Sequence, residues 1–424
     1  MKNLTKEVLT DTTITIAVKL IAAILKFILV IYITNTFGAS GFGAYTFSVT
    51  IFLLINLIFR FGFDLYVQKE VSIVEANDQN NVSVAIFLET VSFSTIFILL
   101  ASVVVNSILS LAPDIFSDVK YEYLSLIMIF SFLHPVFWIS GYYYRGLGKG
   151  KLSVINSEIV FPVIQFFFIF LLYSLDGSHP EALVFSYAVA MAICSACYLY
   201  GIKDKLADFF AYSGYKRLEF PIRHIRSSYP FLMVSMSALL LSWTDILVIS
   251  FLESNSDLGI YSVVTKIGFL IMMPTSAAAI FFNNKVASWN STGEKTLIYG
   301  LFLALTRYLI FVSISAFLII NIFGAQVLSV FGEEFAAATK VLLIITLAQT
   351  INASAGVFES VFTMTDMKMV FFKINIFTLV VNLSLNIPMV LLYGIQGAAI
   401  ATLFSIMFGR LVQFMYLKKG YFND

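Results

Sequence analysis

Apolar runs of roughly 20 residues alternate with short polar segments along the whole chain. They lie at about 12–36, 43–66, 82–106, 121–145, 154–174 and 182–201, then 226–250, 259–283, 296–321, 338–363, 369–391 and 395–417. Each run is continuously apolar and long enough to cross a bilayer as a helix. The period-2 alternation of a membrane β-barrel is absent. The pattern predicts an all-α polytopic membrane protein with about 12 transmembrane helices.

Composition agrees: 59% of the 424 residues are hydrophobic, 12% are charged and 44 are Phe, a surface that no water-soluble domain could hide. The placement of charge adds an orientation. With the N-terminus on the cytoplasmic side, the inward-facing segments carry 17 of the 26 Lys and Arg, and the outward-facing loops carry only Lys120. The other eight lie within the runs. Such asymmetry follows the positive-inside rule and predicts that both termini are cytoplasmic. The first run is too long for the apolar core of a signal peptide, and Lys19 and Lys26 interrupt it. A net charge of +1 gives no reason to expect nucleic acid as a partner.

The polar stretch 202–225 divides the runs into bundles of six, 1–201 and 226–424, joined by a cytoplasmic linker. Short motifs recur between the halves at a nearly constant offset. Gly43-Ala44-Tyr45 corresponds to Gly259-Ile260-Tyr261, Tyr200 to Tyr416, and the turn at Lys151 to the turn at Lys368. The recurrence predicts two parallel repeats, an architecture of secondary transporters whose substrate sites lie at repeat interfaces.

A charge at mid-bilayer costs about 2.5–3.5 kcal/mol on insertion scales, so each one there needs a function or a partner. Lys26 is near the middle of the first run and Lys19 is seven residues earlier on the same helical face. Arg307 lies roughly 16 Å into its run and Lys266 about 10 Å from the outer edge, from the helical rise. Arg60 is nearer the inner side, and Asp64 four residues on offers it a local ion pair. Lys19, Lys26, Arg60, Lys266 and Arg307 are therefore the candidate lining of a cationic cavity. Of the acidic residues, Glu89, Glu158 and Asp245 are candidates for coupling to protons or sodium; the alternative for Glu89 and Glu158 is to neutralise a neighbouring lysine, and for Asp245, near a helix end, a hydrated structural role. The excess of basic over acidic groups suits an anionic substrate. Pro274 is the candidate hinge, because a proline within a span removes a backbone hydrogen bond and bends the helix.

Other signals carry no chemistry. Cys194-x-x-Cys197 sits in an apolar run with no other cysteine in the chain. The basic turn Arg145–Lys151 does not fit a phosphate-loop pattern. His134, His179 and His224 lack metal-ligand spacing, and no nucleophile–base set can be assembled. Neither an enzyme nor a resident cofactor is expected.

The spans, the orientation, the intramembrane Lys and Arg and above all the Phe-Gly-Ala-Ser-Gly-Phe-Gly-Ala-Tyr turn (Phe37 to Tyr45) resemble the Wzx-type O-antigen flippases. These are polysaccharide exporters of the multidrug/oligosaccharidyl-lipid/polysaccharide superfamily, with a MATE-like fold. The resemblance covers nearly the whole length. It implies two six-helix bundles around a cationic central cavity that works by alternating access. The implied cargo is an undecaprenyl-diphosphate-linked oligosaccharide, such as a repeat unit for O-antigen and lipopolysaccharide. It would move between leaflets of the bacterial inner membrane, driven by an ion gradient and alongside other polysaccharide-assembly proteins. In this picture Lys and Arg hold the diphosphate, and aromatic faces such as Trp138 or Trp243 stack on sugars. The rival readings are a multidrug cation antiporter of the same fold, disfavoured by the lysines, and a flippase for another lipid-linked glycan. A membrane polysaccharide polymerase is disfavoured by the short outer loops.

Overall fold

Continuous apolar sequence leaves the backbone no partner but itself, and it satisfies its hydrogen bonds locally as helix. The computed structural model describes residues 2–75, 77, 80–111, 119–176, 181–211, 222–365 and 367–422. The chain runs through α1 (Lys2–Phe59), α2 (Phe63–Glu75), α3 (Asn80–Leu111), α4 (Val119–Ile129), α5 (Leu133–Gly146) and α6 (Gly150–Ile155). A π turn, Asn156–Val160, leads from α6 into α7 (Phe161–Asp176), followed by α8 (Glu181–Tyr200), α9 (Lys203–Ala211) and α10 (Ile222–Leu252). Then come α11 (Asn255–Phe269), α12 (Met273–Ser291), α13 (Lys295–Ile322), α14 (Gly324–Ser329), α15 (Thr339–Ser354), α16 (Gly356–Met364) and α17 (Lys368–Gly420).

Every expected apolar run falls on helix. Among the described residues, eight helices are long and apolar enough to cross a membrane, or nine when the pair Tyr121–Ile129 and Leu133–Gly146, bent by 63°, counts as one. Two of the eight reach at least twice the length of one crossing. Leu20–Phe59 has 40 residues and Lys368–Lys419 has 52; at 1.5 Å per residue these would rise about 60 and 78 Å if straight, against a hydrocarbon core of about 30 Å. Both are broken by a glycine at positive φ, Gly38 (φ 69°) and Gly394 (φ 59°), a backbone state that costs other residues far more.

Other breaks also fall inside expected runs. The run 43–66 is interrupted at 60–62, where Phe61 (φ 53°) and Gly62 (φ 72°) turn the chain. The run 338–363 stops at Ala355 between α15 and α16. In the run 259–283 a 3-10 turn, Leu270–Met272, precedes Pro274, which occupies the first turn of α12. There proline costs nothing, since its missing N–H would be unpaired in any case.

The helices group into two compact units: Met1–Phe37 with Phe47–Met236, and Gly38–Thr46 with Ser237–Asp424. In the first, α2 packs on α3 and α5, and α8 on α5 and α7. In the second, α15 packs on α11, α13 and α17, and α12 on α13 and α16. The core of the second unit includes Phe282, Phe302, Phe358 and Phe362.

Within that second unit the recurring Gly-x-Tyr motifs meet each other. A Cβ on Gly43 would lie 1.8 Å from the Asn255 carbonyl oxygen and 2.9 Å from Gly259 N, and a Cβ on Gly259 would lie 2.0 Å from the Ala39 carbonyl oxygen. The contact is reciprocal: Ala39 and Gly43 face Gly259 and Asn255, which are their counterparts at an offset of 216. Small residues let two backbones touch in a membrane, where apolar burial gives helices little reason to associate.

Candidate substrate and ion sites

The intramembrane charges fall into distinct environments. Lys26 on α1 donates from Nζ to the Glu158 carboxylate, which projects from the π turn between α6 and α7. Both side chains stay accessible, at 51% and 36% relative exposure. Arg60 and Asp64 form the opposite kind of pair, Nη2 to Oδ2 at 2.9 Å with side chains only 5% and 4% exposed. The Arg60 guanidinium also lies 5.1 Å from the Trp138 ring centroid, and Trp138 stacks on His134. Arg60 is thus neutralised inside the fold at the 60–62 break. Lys266 is exposed on α11, 5.6 Å from the Phe42 ring centroid, and Arg307 is exposed on α13. The Lys19 side chain lies outside the described residues.

The acidic candidates differ as sharply. Glu89 on α3 is buried and its Oε2 is 2.9 Å from His224 Nε2, whose Nδ1 is 2.5 Å from the Tyr66 hydroxyl. Its partner His224, at the start of α10, carried no signal in the sequence.

Asp245 on α10 is enclosed by uncharged polar side chains of the second unit. Tyr261 Oη on α11 donates to Oδ2 at 2.6 Å, and Asn386 Nδ2 and Thr402 Oγ1 on α17 donate to Oδ1 and Oδ2. Asn382 lies one turn before Asn386 on the same arm of α17. Residues 386 and 402 flank the Gly394 break, so α17 presents both of its arms to one carboxylate. No basic side chain takes part in these contacts. The amide oxygens of Asn382 and Asn386 are buried without a hydrogen-bond partner among the described residues. One carboxylate, two unused amide oxygens and two hydroxyls are hard oxygen donors, the kind that take alkali and alkaline-earth cations. The sequence marks the place faintly: Asn382, Asn386 and Thr402 are polar residues in long apolar runs, but only the fold brings them to Asp245.

Two more glutamates sit at the glycine breaks. Glu334 Oε1 accepts from Ala39 N–H at 2.5 Å, so it caps the helix that restarts after Gly38. Glu253 Oε1 would lie 3.5 Å from a Cβ on Gly394. Partial burial and the nearby Asp257 carboxylate raise the Glu253 carboxyl above its usual range. Arg410 on α17 is held within the fold by Asn352 Oδ1 at 3.0 Å from Nε and 2.6 Å from Nη2, and by Gln413 Oε1 at 2.7 Å from Nη1.

With this geometry in place, known proteins can be compared. Residues 8–283 match the family described as Polysaccharide biosynthesis protein. The "Probable low-salt glycan biosynthesis flippase Agl15" of Haloferax volcanii is 25% identical over 249 residues, 58% of this chain and 51% of that protein. The "Probable flippase AglR" of the same organism is 25% identical over 189 residues, 42% of this chain and 38% of that protein. The chain therefore spans about half or less of the length of these curated relatives. The lipid II flippase MurJ in an inward closed conformation superposes with a TM-score of 0.76 at 14% identity, covering 96% of this chain and 88% of that one. An inward-facing multidrug resistance MATE transporter superposes at 0.69 and 13% identity, covering 94% and 99%. At such identities these two structures show the fold alone.

Proposed function

Because the chain belongs to the polysaccharide biosynthesis protein family, a family of transporters rather than enzymes, we propose that it flips a lipid-linked glycan across the membrane. The observation that carries this reading is Lys26: a half-exposed cation in the middle of an apolar span, held by one carboxylate that is itself partly exposed. A charge there is costly unless a substrate uses it. A lipid-linked sugar presents a polar, phosphate-bearing head that cannot cross hydrocarbon and a tail that need not leave it. Lys26 is exposed in the first unit and Lys266 and Arg307 are exposed in the second, each a cation of the kind that would hold such a head, and Lys19 shares the face of Lys26 in sequence. Arg60, paired with Asp64, serves to hold the break at 60–62. The cargo we propose is an undecaprenyl-diphosphate-linked oligosaccharide of the O-antigen kind, in a bacterial inner membrane; the named relatives are archaeal, and of their names only that of Agl15 mentions a glycan.

For coupling, Asp245 is the proposed ion site, with sodium or a proton as the co-transported species. Its donors come from α10, α11 and both arms of α17, so occupancy would bias how these helices pack. Glu89 is a second candidate through His224. Pro274, next to the 3-10 turn, is the proposed hinge of the α11–α12 segment. The reading keeps twelve spans, counting each glycine-broken helix as two, the bent α4–α5 pair as one and α10 as one more, and it takes both termini to be cytoplasmic.

Two measurements test the reading. In everted vesicles, Lys26→Ala is expected to reduce flipping of the lipid-linked repeat unit about tenfold or more, the scale of one lost charge-assisted contact. Lys373→Ala, at an exposed position of α17, should stay near wild type. Equal, mild losses in both would remove Lys26 from the substrate path. A reporter fused after residue 212 is expected to read cytoplasmic, and a signal from the opposite side would overturn the orientation.

A further inference from the structure

The two ion pairs of the first unit differ in one respect that bears on substrate choice. Arg60 and Asp64 are sealed from solvent, whereas Lys26 and Glu158 are both within reach of a ligand. The two members of the open pair are also carried differently. Glu158 stands on a π turn, a geometry seen mostly as single turns within helices and frequently at functional sites. That turn is pinned from α8: Asn156 Nδ2 donates to the Cys194 carbonyl at 3.0 Å, and Tyr198 Oη donates to the Ser153 carbonyl at 3.0 Å. Tyr144 Oη in turn donates to the Tyr198 carbonyl at 2.8 Å. The carboxylate is therefore presented from a rigid support, while Lys26 is a flexible stem carrying a point charge.

Resting on the flippase reading above, we propose that Glu158 is a built-in stand-in for the substrate's phosphate. It holds Lys26 when no anion is bound and surrenders it to an incoming head of higher charge. A partly exposed pair contributes little and exchanges readily; the sealed Arg60–Asp64 pair cannot, because parting it would strand a buried charge. The exchange sets a threshold. A neutral sugar offers Lys26 nothing to replace the carboxylate. A single carboxylate is chemically equivalent to Glu158 and gains nothing over it. A diphosphate brings more negative charge and more acceptor oxygens than the group it displaces. Glu158 thereby sets an affinity threshold that a phosphorylated lipid head clears and a carboxylated or neutral one does not.

The test uses the full-length protein in nanodiscs, with farnesyl diphosphate as the probe and farnesoate as the singly charged control. Wild type is expected to bind the diphosphate in preference to farnesoate. Glu158→Gln should tighten diphosphate binding about fivefold, the scale of an accessible ion pair, and farnesoate by a similar factor, because both ligands displace the same carboxylate. Lys26→Gln should weaken both ligands, and adding Glu158→Gln to it should change nothing further. If Glu158→Gln does not fold, Glu158→Asp, one methylene shorter, should shift binding in the same direction. The displacement idea is overturned if Lys26-dependent binding is present but Glu158→Gln is no tighter, or if it tightens equally without Lys26. No saturable diphosphate binding by wild type would instead bring down the flippase reading of Lys26, and the displacement with it.

Discussion

Gly43→Val is expected to abolish recovery of folded protein. The new Cβ would be placed 1.8 Å from the Asn255 carbonyl oxygen, 2.8 Å from its carbon and 2.9 Å from Gly259 N. All three are backbone atoms, so no rotamer change relieves the clash. The two helix segments would have to separate, and the reciprocal contact of Gly259 with Ala39 would be lost with them. Overpacking a close-packed site costs about 1–3 kcal/mol when side chains can adjust. Here they cannot, and the loss approaches the whole stability of an ordinary domain, about 5–15 kcal/mol. The measurement is fluorescence-detected size exclusion of a tagged protein, with Gly300→Ala as the control. Gly300 lies within α13 and a Cβ there meets nothing within 4 Å, so that variant should be neutral or more stable by up to about 1 kcal/mol. A monodisperse Gly43→Val peak with wild-type thermal stability would mean that the crossing is not tight.

Asp245→Asn is expected to stop ion-coupled flipping while leaving the fold intact. The replacement keeps the size of the side chain and most of its hydrogen bonding to Tyr261, Asn386 and Thr402, but removes the only formal charge in that donor set. A hydrogen bond to a charged group is worth about 1.5–3 kcal/mol, which converts to a loss of about 10- to 150-fold in ion affinity. The direct readout is thermal unfolding. Sodium, replacing choline at constant ionic strength, should raise the wild-type midpoint, because a ligand that binds only the folded state stabilises it by mass action. Asp245→Asn should show no such rise. If the sodium-dependent rise survives in the variant, the cation binds elsewhere. If wild type shows none, and flipping instead follows a pH gradient that Asp245→Asn uncouples, the site carries a proton.

Both predictions turn on residues that the sequence made visible in unequal degree. Gly43 and Gly259 appear in it as repeat-related motifs, and Asp245 as a lone acid in an apolar run. Their partners do not appear. A helical face can be read from spacing of three and four residues, but Asn386 and Thr402 are 141 and 157 positions from Asp245. Nothing local ties them together. Arg60 shows the limit in the other direction. Its pairing with Asp64 follows from a separation of four, while its burial and the Trp138 ring above it depend on how α1, α2 and α5 fold together. Lys26 and Glu158, 132 residues apart, were each legible as intramembrane charges. That Glu158 can neutralise a lysine was among the sequence expectations; that the lysine is Lys26 was not legible.

What the sequence determined alone is what one-dimensional physics controls. The length of the apolar runs makes each a membrane helix, because unpaired backbone groups cannot be left in hydrocarbon, and the bias of Lys and Arg between alternate loops predicts their direction. Tertiary structure decided where the helices break and what closes each break. Gly38 and Gly394 are two glycines among 22, marked out only by positive φ and by the glutamates, Glu334 and Glu253, that approach them from distant segments. It also decided which intramembrane charges are sealed and which stay open to a ligand. Burial is a property of neighbours, and in a chain this uniformly apolar every helix face looks alike until packing chooses between them.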